Sequence, residues 1–258
     1  MIYVTGDIHG EPSRFNIDNF PEQKEMTRDD YVIIAGDFGL VWCDSSSEKW
    51  WLDWLDRKPF TTLFVDGNHE NFDMLNKFPV VDFCGGKAHK IRENIYHLMR
   101  GYVFEIGGKK IFAFGGGQSH DIQDGILDPD DFPDDKSFRR EYKQLRNRRA
   151  MFRIKGVSWW KEEMPSEKEK AEGLLNLSAA NNRVDVVLSH CAPTSIQDIF
   201  SGGLFDHDEL TDYLEGVKKQ CEFKQWFFGH YHEEGEIGRK FVMLYESVFL
   251  LSDFLTEE

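Results

Sequence analysis

The sequence predicts an α/β sandwich, with parallel strands covered on both faces. Three observations lead there. Five short apolar runs, Ile2–Val4, Tyr31–Ala35, Thr62–Val65, Val184–Leu188 and Gln225–Phe228, show no polar alternation. Such runs mark strands that bury both faces. Segments of helical character separate the first three, giving a β-α-β-α-β rhythm. Finally, the 258 residues are 40% hydrophobic and include 22 glycines. That composition supports a packed core and excludes wholesale disorder or a fibrous protein.

Taken in order, Ile2–Val4 opens the chain as a strand. Glu11–Lys24 has weak helical character before the strand Tyr31–Ala35. Ser47–Lys58 is a clearer helix, because Trp50, Trp51, Trp54 and Leu55 recur at three- and four-residue spacing. Those tryptophans and Trp42 are expected in the core. Ile95–Leu98, Tyr102–Ile106 and Lys110–Phe114 are short strands, the last two joined at Gly107-Gly108, a hairpin signal. Glu236–Ile237, Phe241–Leu244 and Val248–Leu251 read as a closing meander. No internal repeat or interdomain linker is visible, so residues 1–258 are expected to form a single domain.

Residues 121–155 form an insertion that is acidic first and basic second. Seven aspartates from Asp121 to Asp135 precede a run of arginines and lysines from Arg139 to Lys155. The acidic half reads as loop and the basic half as helix. Two readings stand: a solvated excursion whose halves neutralise each other, or a segment whose Arg148, Arg149 or Arg153 binds substrate phosphate.

Charge and cysteine content narrow the function classes. The net charge of −15 argues against a global electrostatic grip on nucleic acid or on an anionic membrane. Cys43, Cys84, Cys191 and Cys221 are far apart with no C-x-x-C pair, which points to free thiols in a reducing compartment. The sequence opens without a basic-then-apolar leader, and no apolar run approaches the ~18–20 residues of a membrane span. A cytoplasmic protein without membrane partners is expected.

Each of the five apolar runs leads directly into residues suited to metal or phosphate: Asp7-Ile8-His9, Gly36-Asp37, Gly67-Asn68-His69-Glu70, Ser189-His190 and Gly229-His230-Tyr231-His232. In α/β sheets, sites form outside the carboxyl ends of the strands. Imidazole, carboxylate and one amide oxygen, without thiolate, suit divalent Mn, Fe, Zn, Co or Ni. Two such ions opposite two carboxylates keep a positive excess that attracts phosphate. They can also hold a bridging hydroxide for attack on phosphorus.

This series of motifs resembles the calcineurin-like metallophosphoesterases, bacterial or phage type. The resemblance implies a two-sheet β-sandwich flanked by helices in four layers, α/β/β/α, and two divalent ions. One ion would be held by Asp7, His9, Asp37 and His232, the other by Asp37, Asn68, His190 and His230. His69 would be catalytic, protonating the leaving oxygen. The implied substrate is a phosphate monoester or diester, on a small molecule, nucleotide or phosphoprotein. Two alternatives are a Ser/Thr phosphoprotein phosphatase and a non-catalytic scaffold. Against the first, Phe38-Gly39-Leu40-Val41-Trp42 follows Gly36-Asp37 where such phosphatases carry a second Asp and an Arg. Asp66 stands where they carry another Arg. The usual acidic partner of His69 is thereby missing.

Two further segments border the motifs. Gly115-Gly116-Gly117-Gln118-Ser119-His120-Asp121 follows a strand and can bring N–H groups or a side chain to the rim. Ser158-Trp159-Trp160-Lys161-Glu162-Glu163 resembles a segment of bacterial family members. Its tryptophans are either core or an aromatic wall for the leaving group.

Overall fold

Strands β1 (Ile2–Thr5), β2 (Tyr31–Ile34) and β3 (Thr61–Phe64) run parallel in register. Their side chains alternate between two cores. Ile2, Val4, Ile33 and Leu63 enter one; Tyr3, Val32, Ile34 and Phe64 enter the other. Burial on both faces explains the absence of polar alternation. The protein is described from a computed structural model over residues 1–255.

The first sheet grows beyond β3 through β4 (Val80–Phe83), β5 (Gly86–Arg92) and β6 (Ile95–Leu98). Strand β6 lies parallel beside β3, and β5 and β4 follow antiparallel. The second sheet is built from β7 (Tyr102–Ile106), β8 (Lys109–Phe114), β11 (Val186–Ser189), β12 (Gln225–Phe228), β13 (Gly235–Ile237) and β14 (Phe241–Met243). Within it β8, β11, β12 and β14 are mutually parallel. Between them, β9 (Ile126–Leu127) and β10 (Arg153–Ile154) pair as a separate ribbon at the two ends of the insertion.

The sheets face each other across Val4, Ile33 and Leu63 on one side and Ile111, Val186 and Phe227 on the other. Helix α1 (Ser46–Asp56) covers the outer face of the first sheet with Leu52 and Leu55. The short α2 (Phe72–Leu75) follows β3, and α3 (Asp135–Asn147) lies in the insertion. Helices α4 (Glu167–Ala179), α5 (Thr194–Ser201) and α6 (Glu209–Gln220) cover the second sheet through Leu177, Ile196, Leu214 and Val217. Each fully buried leucine of this kind contributes roughly 1.5–3 kcal/mol. The layers are α/β/β/α, as expected.

Several elements differ from expectation. Glu11–Lys24 is not an α-helix but two 3-10 turns, Pro12–Phe15 and Pro21–Glu25. Each begins at a proline, which cannot continue a preceding helix. The Gln23 side-chain amide donates to the carbonyls of Phe15, Asn16 and Phe20 and holds this segment together. Val248–Leu251 does not complete a meander. Its strand, β15 (Phe249–Leu250), crosses to the first sheet and pairs antiparallel with β1. The β4–β5 hairpin was not anticipated. Trp50 is 54% exposed, whereas Trp42, Trp51 and Trp54 pack against the core. In the insertion the two charged halves do pair, through Arg148–Asp124, Arg153–Asp121 and Lys155–Asp128.

Helix α1 shows how local chemistry sets a boundary. The Ser45 hydroxyl accepts from the Glu48 N–H at 3.2 Å, and the Glu48 carboxylate accepts from the Ser45 N–H at 3.0 Å. The same carboxylate also takes the N–H groups of Trp42 and Cys43. Ser45→Ala is expected to cost about 1 kcal/mol in chemical denaturation. Glu48→Ala, which strands three backbone donors, should cost more. Equal midpoints for wild type and both variants would contradict this account.

Candidate metal centre

Parallel strands bring their carboxyl ends to one rim, and here the rims of both sheets meet. Asp7 and His9 follow β1, Asp37 follows β2, and Asn68 and His69 follow β3. His190 follows β11; His230 and His232 follow β12. The His190 Nδ1 lies 2.7 Å from the Ala35 carbonyl, joining the second sheet to the first. The His230 N–H donates to Asp7 Oδ1 at 3.1 Å.

The backbone is bent to achieve this. His9, Asp37, His230 and His232 all have positive φ, between 45° and 73°. Such conformations cost on the order of 1–3 kcal/mol each and concentrate at functional sites. Two glycines make room. A Cβ on Gly36, whose φ is +102°, would lie 2.0 Å from His190 Nδ1; one on Gly67 would lie 2.1 Å from Asp37 Oδ1. These positions carry glycine because the next ligand candidate already fills the space.

Two donor groups share Asp37. In the first, one ligand atom from each of Asp7, His9, Asp37 and His232 lies within 4.8 Å of the others. Asp7 Oδ2 is buried with no hydrogen-bond partner and stands 3.3 Å from His232 Nε2. His9 Nε2 and His232 Nε2 approach to 2.9 Å. In the second, His190 Nε2 lies 3.4 Å from Asp37 Oδ1, 3.4 Å from Asn68 Oδ1 and 3.2 Å from His230 Nδ1. Asp37 therefore points Oδ1 at the second group, while its Oδ2 lies 3.8 Å from His9. Converging lone pairs and an orphaned buried carboxylate oxygen fit a divalent ion.

For Asp7, His9 and His230 the protonation pattern suits ligation, whereas Asp7 raises the His232 pKa. Burial works against a charged Asp7, but His190, His232 and the His230 N–H outweigh it and hold Asp7 below its usual range. Burial pushes His9 down, and pushes His230 far down with help from His190 and His120. Neutral imidazoles and an ionised carboxylate are the forms that bind metal.

His69 sits beside the first group, its ring edge-on to His9 with centroids 4.9 Å apart. Its Nε2 is 3.0 Å from Arg153 Nη2. Arginine can only donate, so Nε2 accepts and the ring proton is on Nδ1. Burial, and the Arg153 charge as well, keep His69 below its ordinary pKa, against the pull of Asp37. Arg153 is itself buried and donates from Nε to Asp121 Oδ1 at 2.5 Å. Neither nearby acid partners His69. Asp66 binds Arg100 and His97, and Glu70 accepts the N–H groups of Phe38 and Gly39. Of the three candidate arginines, only Arg153 reaches His69. Arg148 pairs with Asp124 at the surface, and Arg149 lines a hollow with Tyr142 and Phe152.

Sequence reasoning singled out the glycine-rich segment but not the residue in it that matters. His120 Nε2 lies 2.6 Å from His230 Nε2, so it touches the second donor group. The loop is held by Ser119, which donates from N and Oγ to Glu163. Arg14 was also missed. Its guanidinium donates to Thr5 Oγ1 and to the carbonyls of Asp7 and Tyr245, bracing the β1 turn. Trp160 is core and donates to Asp73, whereas Trp159 faces a cavity beside the loop.

A two-sheet α/β fold with carboxylates and imidazoles at its joined rims presents a candidate centre for divalent metal. The chain belongs to the calcineurin-like phosphoesterase family, whose sequence model matches residues 1–234. That family is one of phosphoesterases. The chain is similar to lariat debranching enzyme A of Xenopus laevis, at 24% identity over 253 residues, covering 92% of this chain and 38% of that protein. Its fold has a weaker likeness to the crystal structure of a 5'-nucleotidase from Candida albicans SC5314. There the TM-score is 0.42 and the identity 15%, covering 95% of this chain and 44% of the other. The chain thus spans less than half the length of both. Among the described residues, no helix is long and apolar enough to cross a membrane.

Removing divalent ions with a chelator should lower the melting temperature, because metal binds the folded state and relieves the buried Asp7 oxygen. Re-addition of Mn or Zn should restore it. An unchanged melting temperature with metal shown to be removed would contradict the fit.

Proposed function

We propose that the chain acts as one phosphoesterase domain that hydrolyses a phosphate monoester or diester with two divalent transition-metal ions. The observation that carries this reading is Asp37, whose two oxygens address separate donor groups. Asp7, His9, Asp37 and His232 would hold one ion; Asp37, Asn68, His190 and His230 the other. Mn, Fe, Zn, Co and Ni all suit this donor set. When bound, such a pair polarises phosphoryl oxygens and supplies an activated water at neutral pH.

The chain's own residues do the rest. Arg153 is buried, cationic and next to the donor groups, so it is the group that receives a phosphoryl oxygen. Turning toward phosphate releases His69 Nε2 from the donor that now occupies it. The approaching anion and the lost Arg153 contact both favour a protonated ring. His69 can then hold a proton for the leaving oxygen. His120 keeps the His230 ring oriented. The missing phosphatase arginines and the net charge of −15 favour a phosphorylated small molecule or nucleotide over a phosphoprotein or a long nucleic acid. The four unpaired cysteines support a cytoplasmic setting.

Asp37→Asn is expected to lose most metal by elemental analysis and nearly all turnover of p-nitrophenyl phosphate and bis-p-nitrophenyl phosphate. Two metals per chain with near-normal turnover would overturn the bridging assignment. Arg153→Ala should raise KM or lower kcat at least tenfold with metal content unchanged, while Arg148→Ala stays within about twofold. His69→Ala should retain both metals and slow alkyl phosphates far more than p-nitrophenyl esters. A general acid contributes ~10²–10⁴-fold, and chiefly to a strongly basic leaving group. Equal losses on both ester types would assign His69 to positioning.

A further inference from the structure

Arg153 is buried beside the metal centre, with its side chain 7% exposed. A guanidinium carries a full charge and five N–H donors, so burial demands both acceptors and a counter-ion. Three acceptors meet it. Asp121 Oδ1 accepts from Nε at 2.5 Å, the Ser158 carbonyl from Nη1 at 3.3 Å, and His69 Nε2 from Nη2 at 3.0 Å. One N–H on each terminal nitrogen is left uncommitted. Among the described residues, Asp121 is the one carboxylate within ion-pair distance of Arg153.

Asp121 is placed by its loop. The two residues before it are both fastened, Ser119 to Glu163 and His120 against His230. The Asp121 side chain is itself about half exposed, and Arg153 is its one hydrogen-bond partner among the described residues. The two other ion pairs of the insertion differ from this one. Asp124 and Asp128 pair with Arg148 and Lys155, cations that water already solvates. Of the three, the Asp121 pair alone joins an exposed carboxylate to a buried guanidinium. The Nε–H bond lies in the plane of that rigid fork. An acceptor on it fixes rotation about the Cδ–Nε bond, and with it the direction of the Nη1–Nη2 edge.

We propose that Asp121 is a positioning residue of the active site. It holds Arg153 by Nε so that the Nη1–Nη2 edge stays at the metal centre, where Nη2 passes from His69 to a phosphoryl oxygen and the uncommitted N–H groups add to the grip. This role rests on the phosphate binding assigned to Arg153 above. Asp121 also has an opposing effect, because its negative charge lies against the guanidinium that the phosphate approaches. Asp121→Asn separates the two effects, since it keeps an acceptor oxygen for Nε and loses the charge.

The test uses metal-loaded, full-length protein, inorganic phosphate as the binding probe, and whichever p-nitrophenyl ester the wild type turns over. Asp121→Ala is expected to lower kcat roughly tenfold or more with metal content unchanged. Asp121→Asn should keep kcat within about threefold of wild type and bind phosphate severalfold more tightly by calorimetry. In an Arg153→Ala background, Asp121→Ala should cost nothing further, as expected of residues that act as a unit. Asp128→Ala breaks the Lys155 pair of the same insertion and should leave kcat within about twofold. Should Asp121→Ala fold poorly, the tighter phosphate binding of Asp121→Asn carries the test. The proposal is overturned by unchanged kcat or lost metal in folded Asp121→Ala, or by an equal further loss in the Arg153→Ala background. Phosphate bound no more tightly by Asp121→Asn, or an equal loss in Asp128→Ala, overturns it too. Full kcat and phosphate affinity in Arg153→Ala would remove the phosphate role of Arg153 itself, and the role of Asp121 with it.

Discussion

At 2.7 Å, a ring nitrogen of His190 in the second sheet meets the carbonyl of Ala35 at the end of β2 in the first. The contact turns the other ring nitrogen toward Asp37, Asn68 and His230. It also leaves no volume for a side chain at position 36. The relative placement of the two rims follows from this one approach. Once it is made, Asp7 and His230 are neighbours, and Asp37 lies where both donor groups reach it. Both donor groups sit within that junction or lean on it.

The braces around the junction explain how strained backbone persists there. Arg14 caps the carbonyls of the β1 turn, and Glu70 caps the N–H groups that follow Asp37. Burial and the nearby Asp37 push the Glu70 pKa well up, and those two N–H groups work against that rise. Ser119 and Glu163 do the same for the loop that carries His120. Each brace joins a residue at one strand end to a different segment, so the positive φ angles are imposed by several partners at once.

The ligand candidates were legible in the sequence because each follows an apolar run that could only be a buried strand. Asp7, Asp37, Asn68, His190 and His230 occupy one rim for that reason. What was not legible depended on distant partners. The partner of His69 was left open, and the ring meets Arg153, 84 residues away. Three arginines of similar sequence context ended in three different places, since only the one on β10 points back from the insertion. Glu11–Lys24 carried a faint helical pattern that its two prolines cut into short turns. The β4–β5 hairpin was invisible because Asp82 interrupts the short apolar run of β4, and Lys87, His89, Lys90 and Arg92 interrupt β5. β15 was assigned to its sequence neighbours, yet its partner is β1 at the other end of the fold.

His9 and His232, whose ring nitrogens meet at 2.9 Å, are 223 positions apart in the chain. No early fragment of the chain contains the complete first donor group. During synthesis the amino-terminal sheet can begin to form with Asp7, His9 and Asp37 in place, but the rim stays open until β12 has emerged and docked. Contacts of such sequence separation close late and slowly, after the local hairpins and helix pairs. Assembly of the first donor group therefore waits on contacts between distant parts of the chain, and a chain ended before β12 lacks His232.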